Sequence, residues 1–268
     1  MYKSDILDGE RIYNYMVIYL NADIGEGSAY DNDLLPFIKY ANIACGGHSG
    51  GGDIMINSIK SALSKNVLVG AHPSYPDTEN FGRLSRRGEM SNREISESVS
   101  QQISTFLGAL EDQQYKQIHI KAHGALYNDS SKFEDIASAY IEGVNLALKA
   151  FNIDRRSISI MLQPNTPVQN YAIKSGYNII REGFIDRRYD DSGLLTSRSE
   201  IGSVLESREE VERQVLGFAK YGYLITASGK QLPVAVDTLC IHSDTEGCVD
   251  MAKISDSILK VREKQNEI

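Results

Sequence analysis

The chain is short of cysteine, of long apolar runs, of nucleotide-cradling glycine loops and of positive charge, and each shortage argues against a class of function. Its 268 residues include three cysteines, Cys45, Cys240 and Cys248. An odd number without a CxxC pair argues against both a disulfide framework and a thiolate zinc site, and fits reduced thiols in a cytosol. No apolar segment approaches the roughly 20 residues that cross a bilayer. Asp5, Asp8, Glu10 and Arg11 stand where a signal peptide would carry its apolar stretch. The expected location is therefore the cytoplasm, with no membrane partner. No GxxxxGK[ST] loop occurs, and the glycines of segment 46–52 do not form the GxGxxG of a dinucleotide site. The 28 Lys and Arg against 36 Asp and Glu leave a net charge of −8, which opposes a nucleic-acid partner.

What is present is an ordinary globular composition, 41% hydrophobic and 24% charged, arranged as a strict alternation. Short β-rich runs at 17–20, 41–44, 67–69, 118–120, 159–162, 178–180 and 238–241 read as parallel strands. Between them the segments 53–65, 91–113, 132–150, 165–175, 207–221 and 246–264 have apolar residues at helical spacing. In 91–113 the residues Ile95, Val99, Ile103, Phe106, Leu107 and Leu110 share one face, and Ser91 with Glu94 forms a capping box. A hairpin is expected where 223–226 and 232–236 flank Ser228-Gly229-Lys230. The pattern predicts an α/β protein built as a single irregular (β/α) barrel of about seven parallel strands over 16–268, with a doubly wound sheet as the competitor. Residues 1–15 have no place in the alternation and read as an N-terminal extension, with Met16 as a natural start.

In either fold, ligands meet the carboxyl ends of the strands, and here those ends are crowded with polar residues. Asp23 and Glu26 follow the first strand, His48 the second and His72 the third, while Lys121 and His123 end the fourth. Asp186 and Arg187 follow the sixth, and His242 and Asp244 the last. A lone histidine is more often a satisfied core residue, but four of the chain's five lie just past strand ends, and that points to one shared site. Imidazoles and carboxylates in a partly dry pocket supply general acid and base, and Lys121 would place a cation beside a developing oxyanion. The same set leaves a metal reading open, with Asp23, His48 and His72 as ligands. The glycines of 46–52 would let backbone amides approach an anion, or simply form a flexible loop. Cys45 reads as a small apolar strand-end residue.

These residues lie in segments that resemble the LamB/YcsF family: Leu20-Asn21-Ala22-Asp23-Ile24-Gly25-Glu26, Ala41-Asn42-Ile43-Ala44-Cys45-Gly46-Gly47-His48, Val69-Gly70-Ala71-His72-Pro73, Phe81-Gly82-Arg83, Lys121-Ala122-His123-Gly124-Ala125-Leu126-Tyr127-Asn128, Asp186-Arg187-Arg188-Tyr189 and Asp237-Thr238-Leu239-Cys240-Ile241-His242-Ser243-Asp244. They occur in the family's order from about Val17 to the last helix. The resemblance implies a seven-stranded barrel related in fold to the polysaccharide deacetylases. It also implies the A component of an ATP-hydrolysing 5-oxoprolinase, which works with partner subunits B and C in an assembly that cleaves the small molecule 5-oxo-L-proline to L-glutamate at the expense of ATP. Asp23, Glu26, His48, His72, Lys121, His123 and His242 are then the catalytic candidates. Asn21, Asn42, Arg83, Tyr127, Asp186, Arg187 and Asp244 are the expected substrate contacts. The competing functions are a metal-dependent amidohydrolase or deacetylase acting alone, and a non-catalytic small-molecule-binding subunit.

The chain also departs from the family's pattern. Gly46-Gly47-His48-Ser49-Gly50-Gly51 stands where members read Gly-Phe-His-Ala-Gly-Asp, Ala122 where proline is usual, and Ser74 where glycine is usual. If the family acid orients His48, Asp53 is a candidate to replace it.

Overall fold

The computed structural model describes residues 17–110, 118–198 and 200–266, and within the stretch 1–16 only the antiparallel pairing of Ile6–Leu7 with Glu10–Arg11. The expected extension 1–15 otherwise lies outside the described residues. Seven parallel strands close into a barrel: β1 (Tyr19–Ile24), β2 (Tyr40–Ala44), β3 (Leu68–His72), β4 (Ile118–Lys121), β5 (Ile158–Leu162), β6 (Asn178–Phe184) and β9 (Thr238–Ile241). Each pairs with the next in chain order, and β9 closes the ring between β6 and β1. The inserted strands β7 (Tyr223–Ile225) and β8 (Gln231–Pro233) form the expected hairpin, with Leu224 opposite Leu232.

A short turn of helix α1 (Asp31–Leu34) follows β1, and longer helices surround the ring: α2 (Gly52–Ser64), α3 (Asn92–Ala109), α4 (Gly124–Lys132), α5 (Glu134–Ala150), α6 (Pro167–Lys174), α7 (Arg208–Leu216) and α8 (Cys248–Asn266). The capping box of α3 is formed, Ser91 Oγ accepting from the Glu94 amide while Glu94 Oε2 accepts from the Ser91 amide. The helix expected over 132–150 is present as α5, beginning at Glu134; the preceding α4 was not expected, and Phe133, with an extended backbone, separates the two. Arg87 lies over the Phe133 ring at 4.1 Å. Over 207–221 the α-helix ends at Leu216, and a π turn carries the chain to Gly222 in the left-handed region. Among the described residues no helix is long and apolar enough to cross a membrane.

Strand alternation sorts the side chains into two layers. Ala22, Ile43, Val69, Ala71, Ile120, Ile160 and Leu239 are buried in the apolar core. The barrel's interior is different. The common filling of such a barrel is bulky and branched, but here Asn21, Asn42, His119, Lys121, Glu182 and Thr238 are buried and joined by hydrogen bonds and ion pairs. That polar column runs up to the carboxyl ends of the strands, so the fold delivers charge to one mouth.

Outside the barrel, α3 and α5 pack closely because Gly143 has no side chain: a Cβ built there would lie 2.7 Å from Ser96 O and 2.7 Å from Val99 Cβ. Gly143→Ala should therefore destabilise the protein even though alanine favours helix by up to about 1 kcal/mol. Overpacking of roughly 1–3 kcal/mol outweighs that gain. The expected result is a fall of a few degrees in the thermal midpoint, followed by circular dichroism. An unchanged or higher midpoint would show that the two helices separate without cost.

Candidate active site

At the mouth, near the end of β1, stands Asp23, whose Oδ1 accepts from Lys121 Nζ and from Asn42 Nδ2, each at 2.8 Å. Lys121 is buried and ends β4; its ammonium also lies 3.0 Å from Glu182 Oε1 and 3.2 Å from Cys240 Sγ. Burial disfavours the Lys121 cation, but Asp23, Cys240 and Glu182 outweigh it and hold the group protonated, well above its ordinary range. Burial likewise acts to raise the Asp23 carboxyl, and the neighbouring His72 and Lys121 hold it well below the usual carboxylate range. Lys121 thus donates to Asp23 and Cys240 and is ion-paired with Glu182, and it bears on the cavity through Asp23 rather than as a free cation.

Beside Asp23, the loop after β1 brings in Glu26. Its Oε1 lies 2.7 Å from His48 Nε2, 3.1 Å from His123 Nδ1 and 3.8 Å from His72 Nε2. The His48 and His123 rings stack at 3.6 Å, within 2° of parallel. Burial, with His123 alongside, lowers the His48 imidazole to about 4. Burial opposes ionisation of Glu26, yet His123 and His48 keep its carboxyl far below its usual value. The donor atoms of Glu26, His48, His72 and His123 lie within 4.8 Å of one another. The convergent metal-capable set thus has Glu26 where the sequence suggested Asp23, and it includes His123.

Across the cavity, His242 Nδ1 faces both oxygens of Asp186, at 3.0 and 2.9 Å, and its ring stacks on Phe184. Asp186 also accepts from the His242 amide and from Thr245 Oγ1. Burial would raise the Asp186 carboxyl, but His242 dominates and holds it well below the usual range. An ionised Asp186 accepts the Nδ1–H, which leaves the lone pair of His242 Nε2 toward the cavity, 3.9 Å from Asp23 Oδ2.

The cavity above these groups has a volume of about 380 Å³ and is lined by Asp23, Glu26, His72, Lys121, His123 and His242, together with Tyr127, Asp244 and three arginines, Arg83, Arg187 and Arg198. Arg83 and Arg198 both pair with Asp244. Arg187 is 4% exposed; one terminal nitrogen donates to Thr196 O, and its Nε has no hydrogen-bond partner among the described residues. Burial and the adjacent Arg198 lower its guanidinium to about 10, still protonated at neutral pH.

The sequence-based candidates therefore divide. Asp23, Glu26, His72, Lys121, His123, His242, Arg83, Tyr127, Arg187 and Asp244 all reach the cavity. His48 does not line it, but stands behind, stacked on His123 and bonded to Glu26. Asn21 and Asn42, expected as substrate contacts, lie fully buried in the barrel beneath Asp23, and Asp186 lies fully buried behind His242. These three position other groups. Asp53 is exposed and does not replace the family acid; Glu26 is the carboxylate on His48. Glu182, inside a strand, and Arg198, on the long loop after β6, were not among the sequence candidates. Glu182 left a trace as a lone acid in an apolar strand, whereas Arg198 left none.

Comparisons with known proteins find relatives in sequence and in fold. The sequence model of the LamB/YcsF family matches residues 18–267. The protein of Pyrococcus furiosus named as the A component of 5-oxoprolinase is 34% identical over 241 residues, covering 88% of this chain and 91% of that protein. Its namesake in Corynebacterium jeikeium is 38% identical over 242 residues, covering 88% and 90%. The crystal structure of a lactam utilization protein from Thermus thermophilus superposes with a TM-score of 0.79 at 31% identity, over 92% of this chain and 98% of that one.

Two measurements test the site's electrostatics. Lys121→Met removes the cation between Asp23 and Glu182 and should cost about 3–5 kcal/mol of stability, because Glu182 is left buried without a cation and Asp23 keeps only Asn42 and His72; adding Glu182→Gln should recover part of it. Asp186→Asn should lower stability at pH 7 by about 1–3 kcal/mol. The folded Asp186 carboxyl is depressed, so its contribution is full above the unfolded value near 3.9 and is lost as pH falls through the folded one. The gap between wild type and variant in urea unfolding should thus persist from pH 7 to 5 and narrow below about pH 4. A gap that widens with acid would show that Asp186 is not held ionised by the fold.

Proposed function

This chain belongs to the LamB/YcsF family, and from that premise we propose that it is the ring-opening subunit of an ATP-dependent 5-oxoprolinase, working with partner subunits B and C. The observation that carries this reading is the cavity itself: a volume suited to a small molecule, with a histidine–carboxylate floor and three arginines around it.

A five-membered lactam is an unactivated amide whose closure is favourable, so opening it needs both carbonyl activation and an energy source. Phosphorylation of the lactam oxygen at the expense of ATP supplies both. The substrate that reaches this chain then carries a carboxylate and a phosphoryl group, and the arginines supply matching charge. Arg187 is the best placed, since its buried Nε has no partner of its own.

Asp23 and Glu26 were the expected bases, but neighbouring cations and imidazoles hold both in weakly basic, ionised forms. The role falls to His242, whose tautomer Asp186 selects. His242 Nε2 takes a proton from water as the oxygen adds to the activated carbon. The imidazolium returns that proton to the ring nitrogen, and the proton of the newly added hydroxyl then passes to the same nitrogen as C=O forms and the C–N bond breaks, which gives an open-chain acyl phosphate with a free amine. A second water releases phosphate and leaves L-glutamate. Asp23, fixed by Lys121 and Asn42, faces His242 and stabilises its imidazolium.

The test is 5-oxoproline-dependent ATP turnover and glutamate release by the full assembly of this chain with B and C subunits. The chain alone should show neither. In the assembly, His242→Ala should lower kcat by about two orders of magnitude or more, while Arg187→Met should act mainly through KM. Glutamate release by the assembly with His242→Ala at near wild-type rate would place the base elsewhere, and ATP turnover by the isolated chain would overturn the division of labour.

A further inference from the structure

Hydrogen-bond direction at the cavity floor exposes an imbalance that the proposed reaction does not use. A backbone carbonyl can only accept. Lys121 O lies 2.8 Å from His72 Nδ1, and Phe81 O lies 3.0 Å from His123 Nε2. In their neutral forms both rings therefore carry their single proton on the outer nitrogen, and His72 Nε2 and His123 Nδ1 present lone pairs. Those two lone pairs face each other at 3.0 Å. Glu26 Oε1 stands 3.1 Å from His123 Nδ1 and 3.8 Å from His72 Nε2, and Asp23 Oδ2 stands 3.2 Å from His72 Nε2. Four electron-rich atoms with no hydrogen among them repel one another unless a cation lies between.

We infer that Glu26, His48, His72 and His123 form a site for one divalent transition cation of the zinc class, with Asp23 at its edge. Three features favour this over a chance cluster. The first is spacing: nitrogen and oxygen donors about 2.0–2.2 Å from a tetrahedral metal are about 3.3 Å apart, and the separations of 3.0, 3.1 and 3.8 Å bracket that value. The second is the outer partners of His72 and His123, since a backbone carbonyl on the far ring nitrogen is what orients an imidazole toward a metal. The third is chemistry: imidazoles with one carboxylate suit zinc, cobalt or manganese better than magnesium or calcium. Such an ion would supply a Lewis acid at the floor of the cavity. His48 Nε2, 2.7 Å from Glu26 Oε1, carries the proton of that hydrogen bond without the metal and completes the set by moving it to Nδ1, which has no hydrogen-bond partner among the described residues.

The rival cation is a proton shared by His72 and His123, and the experiment separates the two. Tag-free full-length protein, stripped with dipicolinate, is titrated with Co²⁺ and then with Zn²⁺. One equivalent of Co²⁺ should give visible absorption of nitrogen and oxygen coordination, Zn²⁺ should displace it, and the thermal midpoint should rise. Glu26→Gln and His123→Ala should each weaken binding by about a hundredfold or more, with the fold checked by circular dichroism; Glu26→Gln, nearly isosteric, carries the test if the histidine variant does not fold. No stoichiometric uptake by the wild type at micromolar metal would overturn the site, as would uptake unchanged in Glu26→Gln. So would a low-field imidazole proton between His72 and His123 that persists in excess Zn²⁺. These readouts need no turnover. A chain that binds metal but does not support lactam cleavage would overturn the proposed reaction alone.

Discussion

The buried ammonium of Lys121, between Asp23 and Glu182, is the contact on which the rest of the site depends. Taking three charges out of water is expensive, and apolar replacements of buried ion pairs are often neutral or stabilising. The arrangement is therefore poor evidence for stability and better evidence for a constraint of geometry. Lys121 fixes Asp23 Oδ1, Asn42 fixes the same oxygen from below, and Asn21 in turn binds Asn42 and Thr238. The chain of contacts joins β9, β1, β2, β4 and β6, so the position of the Asp23 carboxylate is set by five strands. Its second oxygen is left to face His72 and His242.

Charge at the mouth runs against the charge of the whole. A protein of net charge −8 repels small anions at long range, but within a Debye length of roughly 8–10 Å the local groups decide. Arg83 comes from the loop after β3, while Arg187 and Arg198 share the long loop after β6, and Asp244 after β9 ties Arg83 to Arg198. Asp244 keeps Arg83 and Arg198 near each other without an anionic ligand, which reduces the ordering that binding would otherwise require. Arg187 has no such carboxylate in direct contact, and its backbone is held instead by the bridge to Val204.

Sequence pattern and structure agree where the physics is periodic. Every expected barrel strand is present because its outward-facing residues are apolar even where the inward-facing ones are polar, and the surrounding helices carry a 3.6-residue stripe. Strand ends at one mouth made the histidine group legible as well. What periodicity does not encode is depth along the barrel. Asn21 and Asp23 sit two residues apart on one strand and face the same interior, yet one lies beneath the other and only the upper reaches the cavity. The same holds for His119 beneath Lys121. Nor does it encode which of two neighbours stands in front: His48 and His123 are stacked, and only His123 reaches the cavity. Asp186 and His242, from different strand ends, exchange the roles of contact and support in the same way. Arg198 lies on a loop whose conformation comes from isolated bridges such as Tyr189 to Leu195, which have no repeating signature.

Two of the departures from the family's pattern, Gly47 and Ser74, meet at contacts that single positions cannot show. Gly47 stands where members carry phenylalanine, and a Cβ there would lie 2.2 Å from Gln102 Oε1 and 2.5 Å from Ser74 Oγ. The volume of the missing ring is thus taken by a glutamine from α3, whose amide accepts from the Ser74 amide and donates to Ser74 O. Ser74, itself a departure, supplies the backbone that this glutamine binds, so the substitutions at 47 and 74 meet at one polar contact. The loop that begins at Ser74 carries Phe81, whose carbonyl sets the tautomer of His123. Gln102 thus closes the space beside Gly47 and ties α3 to the start of the loop whose Phe81 carbonyl orients His123.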